Sequence, residues 1–273
     1  MKLLFSEAGP DYEHYIFPYA IWGFPEPGET AADFFEAGFL PSTRELDRFY
    51  MARQIRVRLK KFRASSENRR VLRKCEGVTW RLLPREEFQL GPQRRAFCKS
   101  YADARFGPEV MSDERLETLF TAPVATHIMV FEEAATQREL GYVVLYLEEP
   151  RVAFYYYSFY DLTYFERSLG LYIMTSAVKH FATSDFHYLY LGTCYSDRAL
   201  YKTQFGGCEF FNGFRWSDNI KELKYLVGRQ VHQPGKHLLE TPDYLETYYG
   251  KAAAELANRS FFTAQKPGAH LEL

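Results

Sequence analysis

The sequence predicts a mixed α/β fold: a mixed sheet flanked by helices, preceded by a small N-terminal module. Three observations predict it. The stretch RQIRVRLKKF alternates strictly between apolar and basic residues, the period of a half-buried strand. Three apolar segments, THIMVFEE, LGYVVLYLEE and RVAFYYYSFY, follow one another through links short enough for hairpins. Helix-start signals surround them, such as the Ser-led SDERLETLFTA.

The elements read in order as follows. GFPEPGET is a loop rich in turn formers, and TAADFFEAGF a short helix that Thr30 caps and Gly38 ends. In the alternating strand Ile55, Val57 and Leu59 point one way and Arg56, Arg58 and Lys60 the other, which predicts a basic outer face. SSENRRVLRK follows as a Ser-capped basic turn or short helix. From residue 78, VTWRLL reads as a strand and REEFQLGPQRRAFCKSYADARFG as a helix broken near Gly91-Pro92. The capped helix and the three apolar strands come next. RSLGLYIMTSAVKHF supplies a helix over 166–182, FHYLYLGT a strand, DRALYKTQF a short helix or turn, and CEFFNGFRW a further strand. The predicted division is an N-terminal module (1–75), a main domain (76–230) and a C-terminal helical tail (231–273).

Composition narrows the function classes. With 273 residues, 47% of them apolar, and a net charge of −1, the chain has material for a core and no signature of disorder. The 24 Phe and 21 Tyr suit an aromatic core, or else stacking surfaces for bases or a hydrophobic channel. No apolar run approaches the ~20 residues of a membrane helix, and MKLLFSEAGPDYEHY lacks the apolar stretch of a signal peptide. The expectation is a cytoplasmic protein without membrane or DNA partners. Four scattered cysteines and seven histidines without HxH or HExxH spacing predict free thiols and no metal. Charge is strongly local: residues 48–74 carry eleven Lys or Arg and one acid, Glu67. Such a segment is either a solvated face or a phosphate-contacting one.

The order β-α-α-β-β-β-α-β-α-β from residue 78 resembles the GNAT acyltransferase fold, in which a central strand runs into a helix whose N-terminus lies beside the acyl donor. Four segments carry a closer resemblance. FFEAGFLPS, IRVRLKKFRASSENRRVLRK, YSFYDLTYFERSLGLY and YLYLGTCYSDRALYKTQF are similar, in order and spacing, to segments of the arginyl-tRNA–protein transferases and the related bacterial leucyl-type enzymes. The family's N-terminal cysteine cluster is absent; Phe49, Tyr50, Met51 and Ala52 occupy that neighbourhood. Its DPD motif appears as Asp161-Leu162-Thr163.

The resemblance implies transfer of an amino acid, Arg or Leu, from charged tRNA to the α-amine of a protein N-terminus. Aminolysis of an ester needs orientation and a stabilised oxyanion; it needs no metal and no cofactor beyond aminoacyl-tRNA as co-substrate. The candidate tRNA-phosphate contacts are Arg56, Arg58, Arg69 and Arg70. Asp161 is the candidate for holding or deprotonating the attacking amine. Tyr157 joins it, with Tyr157 and Tyr160 on different faces or flanking a bulge. Tyr201 and Lys202 would position the donor's terminal adenosine or phosphate. The turn Arg167-Ser168-Leu169-Gly170-Leu171-Tyr172 opens a helix, a ready anion site. A bulky Tyr172 where CoA-dependent enzymes carry a small residue points this turn at a tRNA 3′ end. Two readings compete: a CoA-dependent N-acyltransferase, and a non-catalytic relative that binds protein N-termini or RNA.

Overall fold

A computed structural model describes residues 1–232, 237–250, 257–260 and 262, organised by two sheets. The chain opens with β1 (Lys2–Glu7), β2 (Tyr19–Phe24), α1 (Ala31–Glu36), β3 (Phe39–Pro41), β4 (Phe49–Met51), β5 (Gln54–Arg58) and α2 (Ser66–Lys74). It continues through β6 (Val78–Pro84), α3 (Pro92–Phe106), α4 (Asp113–Thr121), β7 (His127–Glu133), β8 (Glu139–Glu148) and β9 (Val152–Tyr160). Then come α5 (Leu169–Phe181), β10 (Tyr188–Thr193), β11 (Cys208–Phe211), β12 (Trp216–Ser217), α6 (Ile220–His232) and α7 (Pro242–Tyr249).

The small sheet has the order β1-β2-β4-β3, and the large one β12-β11-β5-β10-β9-β8-β7-β6. In the large sheet only β9 and β10 run parallel, joined by the α5 crossover, so the sheet is mixed as the sequence predicts. This is a GNAT-like α/β arrangement: β9 passes through a turn into α5. One face of the sheet packs on α2 and α5 through residues such as Val71, Ile173 and Phe181. The other packs on α3 and α4 through Cys98, Leu116, Ile128 and Phe159. A third cluster joins α1 and the small sheet to Phe154 and Tyr190. Cover on both faces is why β8 and β9 read as continuous apolar runs.

Several expectations change. β5 lies inside the large sheet, between β10 and β11, so the division at 75/76 does not coincide with a break in that sheet. Its basic face is covered at Arg56, which is buried, stacked 3.8 Å from the ring centres of both Tyr188 and Trp216 and paired with Glu209 at 2.8 Å, whereas Arg58 is half-buried and Lys60 exposed. The reason is the cross-strand partner. β11 sets Glu209 opposite Arg56, which makes burial of the guanidinium tolerable. Gly91-Pro92 does not break a helix but starts α3, with Pro92 at the first helical position, where its missing N–H matters least. α5 begins at Leu169, because residues 162–167 form a separate 3-10 turn capped by Asp161.

The tail helix is present as α7; the other tail residues 233–236, 251–256, 261 and 263–273 lie outside the described residues. The acidic side chain of Glu222 on α6 anchors α7. It is buried and accepts hydrogen bonds from Tyr244 (2.7 Å), Tyr249 (2.8 Å), Ser217 (2.8 Å) and Asn212 (2.9 Å).

Candidate active site

The parallel pair at the centre of the sheet is paired at one end only. Tyr188, Leu189 and Tyr190 face Val152, Ala153 and Phe154, and there the ladder stops. β9 continues to Tyr160 with no described strand on that edge, and β10 bends away at a bulge between Tyr190 and Gly192. The strands therefore part beyond Phe154 and Tyr190, where their pairing ends. The wedge between them is a cleft of about 620 Å³.

A second bulge decides which side chains enter it. On β8, Val144 pairs with Tyr157 but the adjacent Leu145 pairs with Tyr155, so Tyr156 is the extra residue. Tyr155 and Tyr157 would share a face in a regular strand. The bulge turns Tyr155 toward α5 and Tyr157 toward α3. Both line the cleft, with Ser158 and Tyr160. Gly170, Leu171 and Met174 of α5 form one wall, Tyr101, Arg105 and Phe106 of α3 another, and Leu191, Arg198, Tyr201 and Lys202 the third.

The cleft is one-sided in charge. Arg105, Arg198 and Lys202 line it, and no carboxylate does. Among the described residues none of the three forms an ion pair: Arg105 donates to Tyr160 Oη at 3.1 Å, and Lys202 Nζ donates to the Thr193 carbonyl at 3.0 Å. Burial lowers the pKa of Lys202. Burial pushes up the Tyr157 and Tyr201 hydroxyls, which stay neutral and able to donate. Aromatic walls and unpaired cations favour a planar anionic ligand, and the free edge of β9 leaves room for an extended one.

The sequence-predicted residues divide. Tyr157, Gly170, Tyr201 and Lys202 meet in the cleft. Asp161 does not: it caps the 3-10 turn, accepting from the Thr163 amide (2.9 Å) and hydroxyl (2.6 Å), and pairs with Arg138 at 3.0 Å. Burial pushes its carboxyl up, but the Thr163 bonds and Arg138 outweigh that and hold it below the ordinary value. Arg167 also lies elsewhere, donating to the Lys74 and Glu76 carbonyls at 2.9 Å and closing the end of α2. Ser168 occupies the left-handed conformation that separates the 3-10 turn from α5, at φ 59°. Tyr172 points into the core, its hydroxyl donating to the Val78 carbonyl at 2.6 Å. It is one position past the wall-forming Leu171, so the helical twist of about 100° per residue turns it away from the cleft. The expectation that Tyr172 bars CoA from this turn therefore fails.

Arg56 is buried and Arg58 shares Glu209 with it, whereas Arg69 and Arg70 stand exposed on α2. Sequence reasoning missed Arg105 and Arg198. Arg105 belongs to no motif, and only the packing of α3 against β9 brings it in. Arg198 falls within one of the four resembling segments but carries no spacing signal. All four cysteines are buried and free. Among the described residues no His, Cys, Asp and Glu cluster is placed to hold a metal, and no helix is long and apolar enough to cross a membrane.

No protein-family profile matches the sequence, and no curated protein does. Solved structures show distant similarity. The C-terminal DUF2156 domain of a proposed lysylphosphatidylglycerol synthetase from Agrobacterium fabrum matches at TM-score 0.42 and 12% identity, over 52% of this chain and 46% of that one. FemX matches at TM-score 0.40 and 10% identity, over 53% of each chain. L-PGS from Bacillus licheniformis matches at TM-score 0.39 and 13% identity, over 68% of this chain and 66% of that one. The chain thus spans about half the length of the first two. Similarity this distant identifies no activity.

Proposed function

We propose that the protein is an aminoacyl-tRNA-dependent transferase that passes an amino acid, Arg or Leu, to the α-amine of a protein or peptide N-terminus. The observation that carries this reading is the cleft at the β9–β10 splay: aromatic walls, three cations and no carboxylate. The four resembling segments supply the substrate class, and two of them form the cleft's β9–α5 and Tyr201–Lys202 walls. In the reaction the neutral amine attacks the ester carbonyl, a C–N bond forms, the C–O bond to the terminal ribose breaks, and the amine proton passes to the leaving oxygen. Lys202 and Arg198 would hold the terminal phosphates, with Tyr157 and Tyr201 packing the adenosine or donating to the carbonyl. Asp161, engaged with Thr163 and Arg138, has a capping role in this reading.

The test supplies purified protein with tRNA charged with radiolabelled Arg or Leu, and with peptides bearing acidic or basic N-termini. Label in peptide identifies the donor and the acceptor. tRNA binding without transfer to any peptide would reduce the claim to a binding relative.

A second reading has one observation in its favour. The unpaired edge of β9 suits an extended acyl-CoA arm, and Tyr172 does not obstruct it. Against it, Tyr160 covers Gly170 and Arg167 is engaged at α2, leaving the turn without an open pyrophosphate cradle. Acyl-CoA retained in the purified protein, seen by mass spectrometry, would favour this second reading.

A further inference from the structure

We infer that the surface formed by the 59–61 turn, Arg63 and the outer face of α2 docks the phosphate backbone of an RNA whose 3′ end enters the cleft. The inference rests on charged tRNA being the donor. Lys60, Lys61, Arg63, Arg69 and Arg73 are all exposed, and among the described residues none pairs with a carboxylate. Glu67, the single acid between residues 48 and 75, is already engaged by Arg70. The surplus charge on this face is thus unneutralised, unlike that of Arg56 and Arg58.

The first three residues line a groove of about 610 Å³ whose opposite wall carries Thr203 and Phe205, with Asp218 its one carboxylate. The loop across it sits close: a Cβ at Gly207 would stand 2.7 Å from the Arg58 carbonyl oxygen. Continuity with the cleft selects the partner. The 3-10 turn 197–204 presents Tyr201 and Lys202 to the cleft, and Thr203 and the following Phe205 to the groove. α2 packs on α5, whose Gly170 and Met174 line the cleft. A polyanion lying along the groove and α2 is led over this turn into the cleft. The groove is rich in cations and its aromatic residue, Phe205, is buried, so it meets phosphates and not bases.

The test uses the full chain with two charge-reversing pairs, Lys60→Glu with Lys61→Glu, and Arg69→Glu with Arg73→Glu. Lys2→Glu on β1 is the control. Binding of deacylated tRNA is measured against salt concentration, and transfer is measured from whole charged tRNA and from a short aminoacyl-oligonucleotide carrying only the 3′ end. Each double variant is expected to weaken tRNA binding at least tenfold and to flatten the log K against log salt slope by about 1 for every phosphate it no longer neutralises. Transfer from the short donor should be unchanged, and the control should match wild type. Wild-type affinity and slope in both double variants would overturn the inference while leaving the transferase reading intact. A wild-type protein that binds no tRNA at low salt would overturn both.

Discussion

The ring of Tyr160 lies directly on Gly170: a methyl group at that glycine would stand 2.5 Å from Tyr160 Cζ and 2.7 Å from its hydroxyl oxygen. The N-terminus of α5 therefore meets an aromatic ring, and Arg105 holds that ring by its hydroxyl. Gly170 is required for this close approach, not for an unusual backbone angle.

Gly170→Ala is expected to destabilise the protein by about 1–3 kcal/mol through overpacking. Tyr160→Ala in the same chain removes the obstruction, so the double variant should be more stable than the sum of the two single effects predicts. Urea denaturation of the four proteins measures the coupling. Strict additivity would show that the ring moves freely off the glycine.

Lys202→Gln is expected to weaken donor binding by roughly ten- to a hundredfold, since a charge-assisted hydrogen bond contributes about 1.5–3 kcal/mol. The pH dependence has a definite sign. Burial lowers the Lys202 pKa, so its positive charge, and with it donor affinity, is present at low pH and lost as pH rises through that lowered value. The donor KM followed from neutral to alkaline pH should rise earlier than an ordinary lysine would dictate, and the Gln variant should lack that rise.

Glu209→Ala leaves the buried Arg56 guanidinium without its counter-charge and should cost about 3–5 kcal/mol. Arg56 stays sandwiched between Tyr188 and Trp216, but the half-buried Arg58 loses the same counter-charge, so the folded fraction of this variant should bind RNA with a salt dependence at least as steep as wild type. Thermal denaturation and filter binding separate the two effects.

Asp161→Asn tests the capping role. The carboxyl pKa is held below its ordinary value, so ionised Asp161 adds stability that is present above about pH 4 and lost as pH falls through the lower folded-state value. The Asn variant should be less stable at neutral pH and show a flatter stability curve in acid. Its turnover per folded molecule should stay close to wild type, and a loss of several orders of magnitude would return Asp161 to the chemistry.

Much of the fold was legible because its signals are local. Ser65 and Ser112 cap α2 and α4 as their positions in the sequence suggest. β7, β8 and β9 stand where their apolar runs and short links put them. The β1–β2 hairpin and α6 went unread, the first because Leu4 and Phe5 leave both faces of β1 exposed and break the alternation. Of the site, Tyr157, Gly170, Tyr201 and Lys202 were found because motif segments carry them.

What the sequence by itself determined is the set of elements, their order and the surplus of positive charge between residues 48 and 74. Only the tertiary structure decided where that charge is usable. Period two shows that Arg56 and Arg58 share a face, but burial depends on what packs there, and Glu209, Tyr188 and Trp216 arrive from distant strands. The cleft has the same origin. The β9–β10 splay, the bulge at Tyr156 and the approach of Arg105 are long-range geometric outcomes, set by how strands diverge and helices pack, and no local spacing encodes them.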